Sequence, residues 1–393
     1  MITREDIREL AQFRAQPHEG CALSFYFEPR TPQNKSHREE AILAKDLVRQ
    51  ALREAEKQGK SSCARADLDR ILQMAEHLHG NQARAKAVFA CSGRNFWREF
   101  DLPLQLSGTQ LFVNRQFHLK PLAMMLGAHP RLWVALVDRH KARFFDLRLD
   151  ELNEREGLFR TPQARQGHSD GYAGYEGGHA QRRADDEALH HFKDVAEHLR
   201  EAEEKGLFEK LIIGCHEKNW HELESQLHPY VKKQLLGHFS ADVAKMTNEQ
   251  IRDQAGRMLS EAIEQRRYEL VREAMSQAKS NHHGVTGLRR VLRSMELGEV
   301  QTLLIGENFS HAAVECTGCG HLDAHIVRHC PACGRETREV EDACDLLIPV
   351  AIRRDIELFY VKDDTEFDSA GNIAALLRFR ADQNRNGGMA IAS

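Results

Sequence analysis

At 393 residues the chain is long enough for two or three domains. Its 55 Lys and Arg stand against 59 Asp and Glu, a formal charge of −4, which excludes a globally basic nucleic-acid coat and confines any nucleic-acid contact to local patches. Hydrophobic residues make up 41% and charged residues 29%, no apolar run approaches the roughly 18 residues of a membrane span, and the charged start MITREDIREL excludes a secretory signal; a soluble cytoplasmic protein is expected.

The first predicted domain, residues 1–128, opens with a helix and a β-rich run, CALSFYF (21–27). Helices follow near 37–58 and 65–79, and AKAVFACSG (85–93) reads as a buried strand closed by a Ser-Gly turn. LGAHP (126–130) marks the boundary to a second domain, 129–279. There LWVALVD and ARFFDLRL, joined by the short DRHKA connection, predict a β-hairpin. A helix is expected from Asp185, with Leu189, Phe192, Val195, Ala196 and Leu199 on one face. KLIIG (210–214) is a predicted strand, and ELESQLHPYVKKQLLG (222–237) a helix broken near Pro229. Thr247 and Gln250 form a capping box before a long helix reaching Ala278. The third domain, 280–393, should hold a helix near 284–297, a strand over 300–306, a cysteine-bearing ribbon over 314–335, a helix around 341–353 and a strand over 356–361.

Of nine cysteines, Cys21, Cys63, Cys91, Cys215 and Cys344 stand singly and read as small buried hydrophobes. The other four, Cys316, Cys319, Cys330 and Cys333, form two C-x-x-C-G knuckles separated by ten residues. The two-residue spacer lets both thiolates of a pair reach one tetrahedral ion, and the gap allows a hairpin to return the second pair to the first. Disulfide pairing and a redox C-x-x-C are the competing readings; two matched knuckles favour a closed, structural Zn2+ site. The neighbouring His321, His325 and His329 read as exposed residues of the ribbon.

The segment GHSDGYAGYEGGHAQRRADDEALHHF (167–192) places Gly167, Gly171, Gly174, Gly177 and Gly178 just before a predicted helix, with Arg182 and Arg183 following. Glycines permit close backbone approach, and a helix N-terminus beside fixed positive charge suits a phosphate-rich partner such as an RNA end. Neither a Walker loop nor a dinucleotide fingerprint is present. A solvated surface loop is the alternative. His168 and His179 are the exposed imidazoles here, whereas His190 and His191 read as helix-surface and packing residues. Arg266, Arg267, Arg289, Arg290 and Arg293 are candidate RNA contacts or solvated helix faces; Asp138, Asp146 and Asp185 lie in one domain and suggest a scattered nuclease site, although Asp185 and Asp186 read more simply as first-turn helix residues.

GNIAALLRF (371–379), the knuckles of Cys316–Cys333 and EGGHAQRR before a long helix together resemble the archaeal and eukaryotic peptide-chain release factors and Pelota. The bacterial branch, with its Balon-like hibernation factors and Vms1-like tRNA hydrolases, is the most similar part of that superfamily. The resemblance implies an α/β, three-domain release-factor-like architecture. Its central domain would be RNase-H-like, and its C-terminal α/β domain would carry a zinc-ribbon insertion. It also implies a ribosome partner, both rRNA and tRNA, a possible translational GTPase contact through the third domain, and neither membrane nor DNA binding. The glycine loop, 167–181, would reach the tRNA CCA end, with Gly177, Gly178, Arg182 and Arg183 as binding residues. The family glutamine position holds His179 instead, and the nearest glutamine is Gln181; these two are the candidate catalytic residues. An Asn-Ile-Lys-Ser decoding motif is absent, which argues against stop-codon reading. The first expectation is a factor occupying the A site of idle or stalled ribosomes without hydrolysis. A peptidyl-tRNA hydrolase in ribosome rescue is the alternative, and an RNA-binding or RNA-processing protein on the same scaffold the second.

Overall fold

The structure is a computed structural model that describes residues 2–15, 20–27, 42, 45–53, 61–76, 85–102, 109–128, 130–148, 151–155, 157–159, 176–362 and 364–381. It is of mixed α/β type. Four strands near the N-terminus, β1 (Ala22–Phe27), β2 (Ala85–Cys91), β3 (Phe96–Leu102) and β4 (Gln110–Asn114), form an antiparallel sheet in the order β3-β2-β1-β4. Every residue of β1 is buried. Leu23, Phe25 and Phe27 alternate onto a core that Val48, Leu68 and Ile71 complete from helical residues 45–53 and the helix Ser61–Glu76. On the opposite face Tyr26, Phe89, Phe117 and Phe13 form a run of ring contacts. Cys21 departs from the sequence expectation of a lone buried thiol, being disulfide-bonded; Cys91 is buried, and Cys215 and Cys344 are free and buried.

The central unit, Ala128–Arg266, is built on β5 (Leu132–Val137), β6 (Lys141–Arg148), β7 (Glu151–Glu154), β8 (Leu158–Phe159), β9 (Lys210–Cys215) and β10 (Leu235–Ser240). Their order is β10-β9-β5-β6-β7 with β8 beside β6; β10, β9 and β5 run parallel, and β6 returns antiparallel through the Asp138 turn. Both faces of β5 and β9 are covered, which is why those strands are continuously apolar rather than alternating. Trp133, Ala135 and Val137 pack with Phe192, Val195 and Leu199 of the helix Glu176–Glu204 and with Leu223 and Val231 of the helices Glu217–Gln226 and Pro229–Gln234. Leu132, Val134 and Leu136 pack with Ile251, Ala255 and Leu259 of the long helix Asn248–Lys279. The capping box of that helix is formed as expected: Thr247 N donates to Gln250 Oε1 at 3.1 Å, and Gln250 N to Thr247 Oγ1 at 3.3 Å.

The other unit joins Met1–Gly127 to Arg267–Ser393. Its second sheet consists of β11 (Gly284–Thr286), β12 (Val300–Gly306), β16 (Glu357–Val361) and β17 (Ile373–Leu377), in the order β11-β17-β12-β16. Between β12 and β16 lie a small sheet of β13 (Ala313–Cys316), β14 (Leu322–Asp323) and β15 (Thr337–Val340), and the helix Cys344–Arg353. The apolar centre of GNIAALLRF is β17, buried throughout and entered through Gly371 at φ +96°.

The first and third of the three sequence-predicted domains therefore pack into one compact unit. The reason is a polar and helical seam. The helix Arg4–Gln12 lies against the helix Cys344–Arg353, and Arg353 Nη1 donates to Ala11 O at 2.6 Å. His118 Nδ1 is 2.5 Å from Asp345 Oδ1, while Asn114 Nδ2 donates to Asp345 Oδ2 at 2.8 Å. Lys120 Nζ donates to Phe309 O at 2.7 Å.

Candidate metal centre and nucleic-acid interface

The four knuckle cysteines converge at the small sheet. Cys316 closes β13, whose neighbours β14 and β15 flank it on either side. The two knuckles repeat one backbone geometry. Gly320 N donates to Cys316 O at 3.1 Å and Gly334 N to Cys330 O at 2.9 Å; Cys316 N donates to His321 O at 2.8 Å and Cys330 N to Arg335 O at 2.7 Å. The turn requires positive φ at its fifth residue, +75° at Gly320 and +74° at Gly334, which is where glycine is placed.

The four Sγ atoms lie within 4.8 Å of one another, with Cys316–Cys333 at 3.4 Å and Cys319–Cys330 at 3.6 Å. A tetrahedron with metal–sulfur bonds of about 2.3 Å has edges of about 3.8 Å, so the donor set fits one ion closely. Amides of Gly318 and Cys319 point at Cys316 Sγ from 3.3 and 3.4 Å, and the Ala332 amide points at Cys330 Sγ from 3.4 Å. The Cys319 amide leads in pulling the Cys316 thiol down to about 6. Cys319 moves the other way, to about 12: the His321 amide favours its thiolate, but hydrogen bonding to Cys333 and Cys316 outweighs it. Four adjacent thiols hold one negative charge readily and resist the rest, a conflict that a bound cation removes. The histidines nearby are engaged elsewhere: His321 Nδ1 lies 2.9 Å from Glu296, and His325 Nδ1 3.2 Å from Asp323.

The glycine-arginine segment takes a different form from the sequence expectation. Its helix begins at Glu176 rather than at Asp185, so the backbone of Gly177, Gly178, His179, Gln181, Arg182 and Arg183 forms the first turns of Glu176–Glu204 instead of a loop. Residues 167–175, with Gly167, His168, Gly171 and Gly174, lie outside the described residues. Further along, His190 is exposed and His191 buried, as expected.

The three candidate nuclease carboxylates serve separate local structures. Asp138 accepts the amides of His140 and Lys141 at the β5–β6 turn, Asp146 is held by Arg148 and Arg155, and Asp185 pairs with Arg139. Arg289, Arg290 and Arg293 are all exposed on the helix Leu288–Glu296, whose other face buries Leu288, Val291, Leu292 and Met295. Arg266 is exposed on the long helix, and Arg267 half-exposed. Sequence reasoning missed a second basic cluster around Glu315, because its arginines come from four separate segments.

Comparison with known proteins places this geometry in context. Residues 118–267 match the model of bacterial archaeo-eukaryotic release factor family 10. Peptide chain release factor subunit 1 of Thermococcus onnurineus is 27% identical over 239 residues, 52% of this chain and 57% of that protein. The Thermococcus kodakarensis protein of the same name is 27% identical over 241 residues, with the same coverage. The chain thus spans about half the length of the curated relatives it matches. Among solved structures, the archaeal translation termination factor aRF1 aligns over 96% of this chain and 99% of its own, at 16% identity and a TM-score of 0.26.

Proposed function

We propose that this relative of the archaeo-eukaryotic release factors is a cytoplasmic, ribosome-binding translation factor that occupies the A site of idle or stalled ribosomes. The observation that carries the proposal is the family match over residues 118–267, which spans the segment Gly177–Arg183. In this reading Gly177 and Gly178 let the backbone approach the tRNA CCA end, and Arg182 and Arg183 pair with its phosphates. His179 in place of glutamine favours binding without hydrolysis. The relation to release factors also leaves a second reading, peptidyl-tRNA hydrolysis, in which His179 accepts a proton from water or Gln181 positions it. A translational GTPase is the expected partner of the C-terminal segment.

The knuckles would hold one structural Zn2+ on Cys316, Cys319, Cys330 and Cys333. Four thiolates close the coordination shell and leave no place for a reacting water, so the ion stabilises the small sheet and takes no part in chemistry.

Ribosomes carrying labelled peptidyl-tRNA test both readings. Co-sedimentation without peptide release is the expected result. Release abolished by His179→Ala or Gln181→Ala would establish the hydrolase, and failure to co-sediment at moderate salt would overturn both.

A further inference from the structure

An arginine cluster surrounds a single buried carboxylate where the N-terminal and C-terminal segments pack together. Glu315, 4% exposed, lies on β13 directly opposite Arg338 of β15. Arg338 Nη2 donates to Glu315 Oε2 at 2.8 Å, and Arg14 Nη2 donates to Oε1 at 2.5 Å. Both carboxylate oxygens are thus taken, each by one guanidinium.

Two more arginines, Arg115 and Arg353, converge on Glu315. Ala15 N donates to Arg115 O at 2.8 Å, which sets Arg115 on the backbone beside Arg14. Arg94 Nη1 donates to Arg14 O at 3.4 Å, and Arg353 reaches Ala11 O from the helix Cys344–Arg353. The guanidinium groups of Arg14, Arg338, Arg115 and Arg353 therefore gather around one carboxylate. Two of them keep unused donors. Arg338 Nε is buried and meets no acceptor among the described residues. The guanidinium of the half-buried Arg115 makes no hydrogen bond or ion pair among the described residues; burial and the charge of Arg338 both hold it below its ordinary value.

Arg14 and Arg338 share Glu315, whereas Arg115 and Arg353 pair with no carboxylate among the described residues, which leaves positive charge over. Guanidinium forks match the oxygen spacing of a phosphate and bind it bidentately. We propose that the cluster of Arg14, Arg115, Arg338 and Arg353 is a phosphate-binding site whose ligand is a phosphodiester of an RNA backbone. The identity of the RNA as ribosomal rests on the function proposed above; the phosphate chemistry does not.

Arg115→Gln in the full chain is the discriminating variant, because that side chain supports no bond whose loss would unfold the protein. In chloride buffer its melting temperature should equal or exceed the wild type, since a repulsion is removed. Inorganic phosphate at matched ionic strength should stabilise the wild type more than the variant. For a short RNA duplex, the variant should bind several-fold more weakly and lower the slope of log K against log salt by about 0.7–0.9, the loss of one phosphate contact. Arg115→Lys should recover the slope but only part of the affinity. A lower melting temperature in chloride, or equal stabilisation of both proteins by phosphate, would overturn the site. Phosphate stabilisation with unchanged RNA binding would overturn the RNA assignment. Arg115-dependent binding of the free duplex by a protein that does not bind ribosomes would leave this site standing and the ribosomal reading refuted.

Discussion

At the scale of single residues, Cys316 and Cys319 carry opposite proton preferences, which a bound cation would reconcile. At pH 7 Cys316, at about 6, is already a thiolate, while Cys319, at about 12, keeps its proton. Metal uptake at pH 7 must therefore expel the Cys319 proton. Below pH 6 it must expel that of Cys316 as well, so metal affinity falls as pH drops through that range. Calorimetric titration of metal-free protein in two buffers of different ionisation enthalpy should read this proton release. Freshly purified protein should hold one zinc per chain by elemental analysis, and Cys316→Ser should lose it; metal-free fresh protein would refute the site. A second residue-scale prediction concerns His118 and Asp345, both nearly buried and 2.5 Å apart. Removing His118 leaves buried Asp345 with Asn114 as its side-chain donor and one oxygen unsatisfied, at a cost of about 1–3 kcal/mol. His118→Ala should show that loss as a lowered urea midpoint for the unit containing both residues.

At the scale of elements, β11 rests directly on the last turns of the long helix. A Cβ at Gly284 would lie 2.6 Å from Ala278 N and 2.7 Å from Ala274 O. Helix backbone cannot move aside as a side chain can, so Gly284→Ala should cost about 1–3 kcal/mol, measurable by chemical denaturation. His198, on the helix Glu176–Glu204, packs on Trp133 and Phe144. Burial lowers its pKa below 6.5, so the unfolded chain binds the proton more readily. Its stabilisation is complete above pH 6.5 and is lost as pH falls from there through the lower folded value. His198→Phe should flatten the pH dependence of unfolding over that window.

These elements also show what a sequence can and cannot convey. The strands β1, β5 and β9 were legible because burial on both faces makes them continuous apolar runs. The knuckles were legible because both the C-x-x-C-G spacing and the turn it makes are local in sequence. The strand β10 was not: QLLG extends a helical pattern without a break, and only pairing with β9 makes it a strand. Nor was the helical start at Glu176, since two adjacent glycines weigh against helix by propensity. The pairing of His118 with Asp345 spans 227 residues, a separation at which local periodicity carries no information.

At the scale of the whole molecule, the unit that contains both N-terminal and C-terminal segments is discontinuous in sequence, with Ala128–Arg266 set between its parts. A chain ending at Ser280 would lack every partner that the C-terminal segment supplies to Arg14, Asn114, His118 and Lys120. Amide exchange of such a chain should show lost protection in β1–β4 and retained protection in β5 and β9. The same discontinuity sets a timetable during synthesis. Asn114 leaves the ribosome 231 residues before its partner Asp345, a wait on the order of ten to fifty seconds at about 5–20 residues per second. Throughout that interval the N-terminal sheet carries a polar face prepared for a helix that does not yet exist, while the central unit has all of its own strands in hand and can close first.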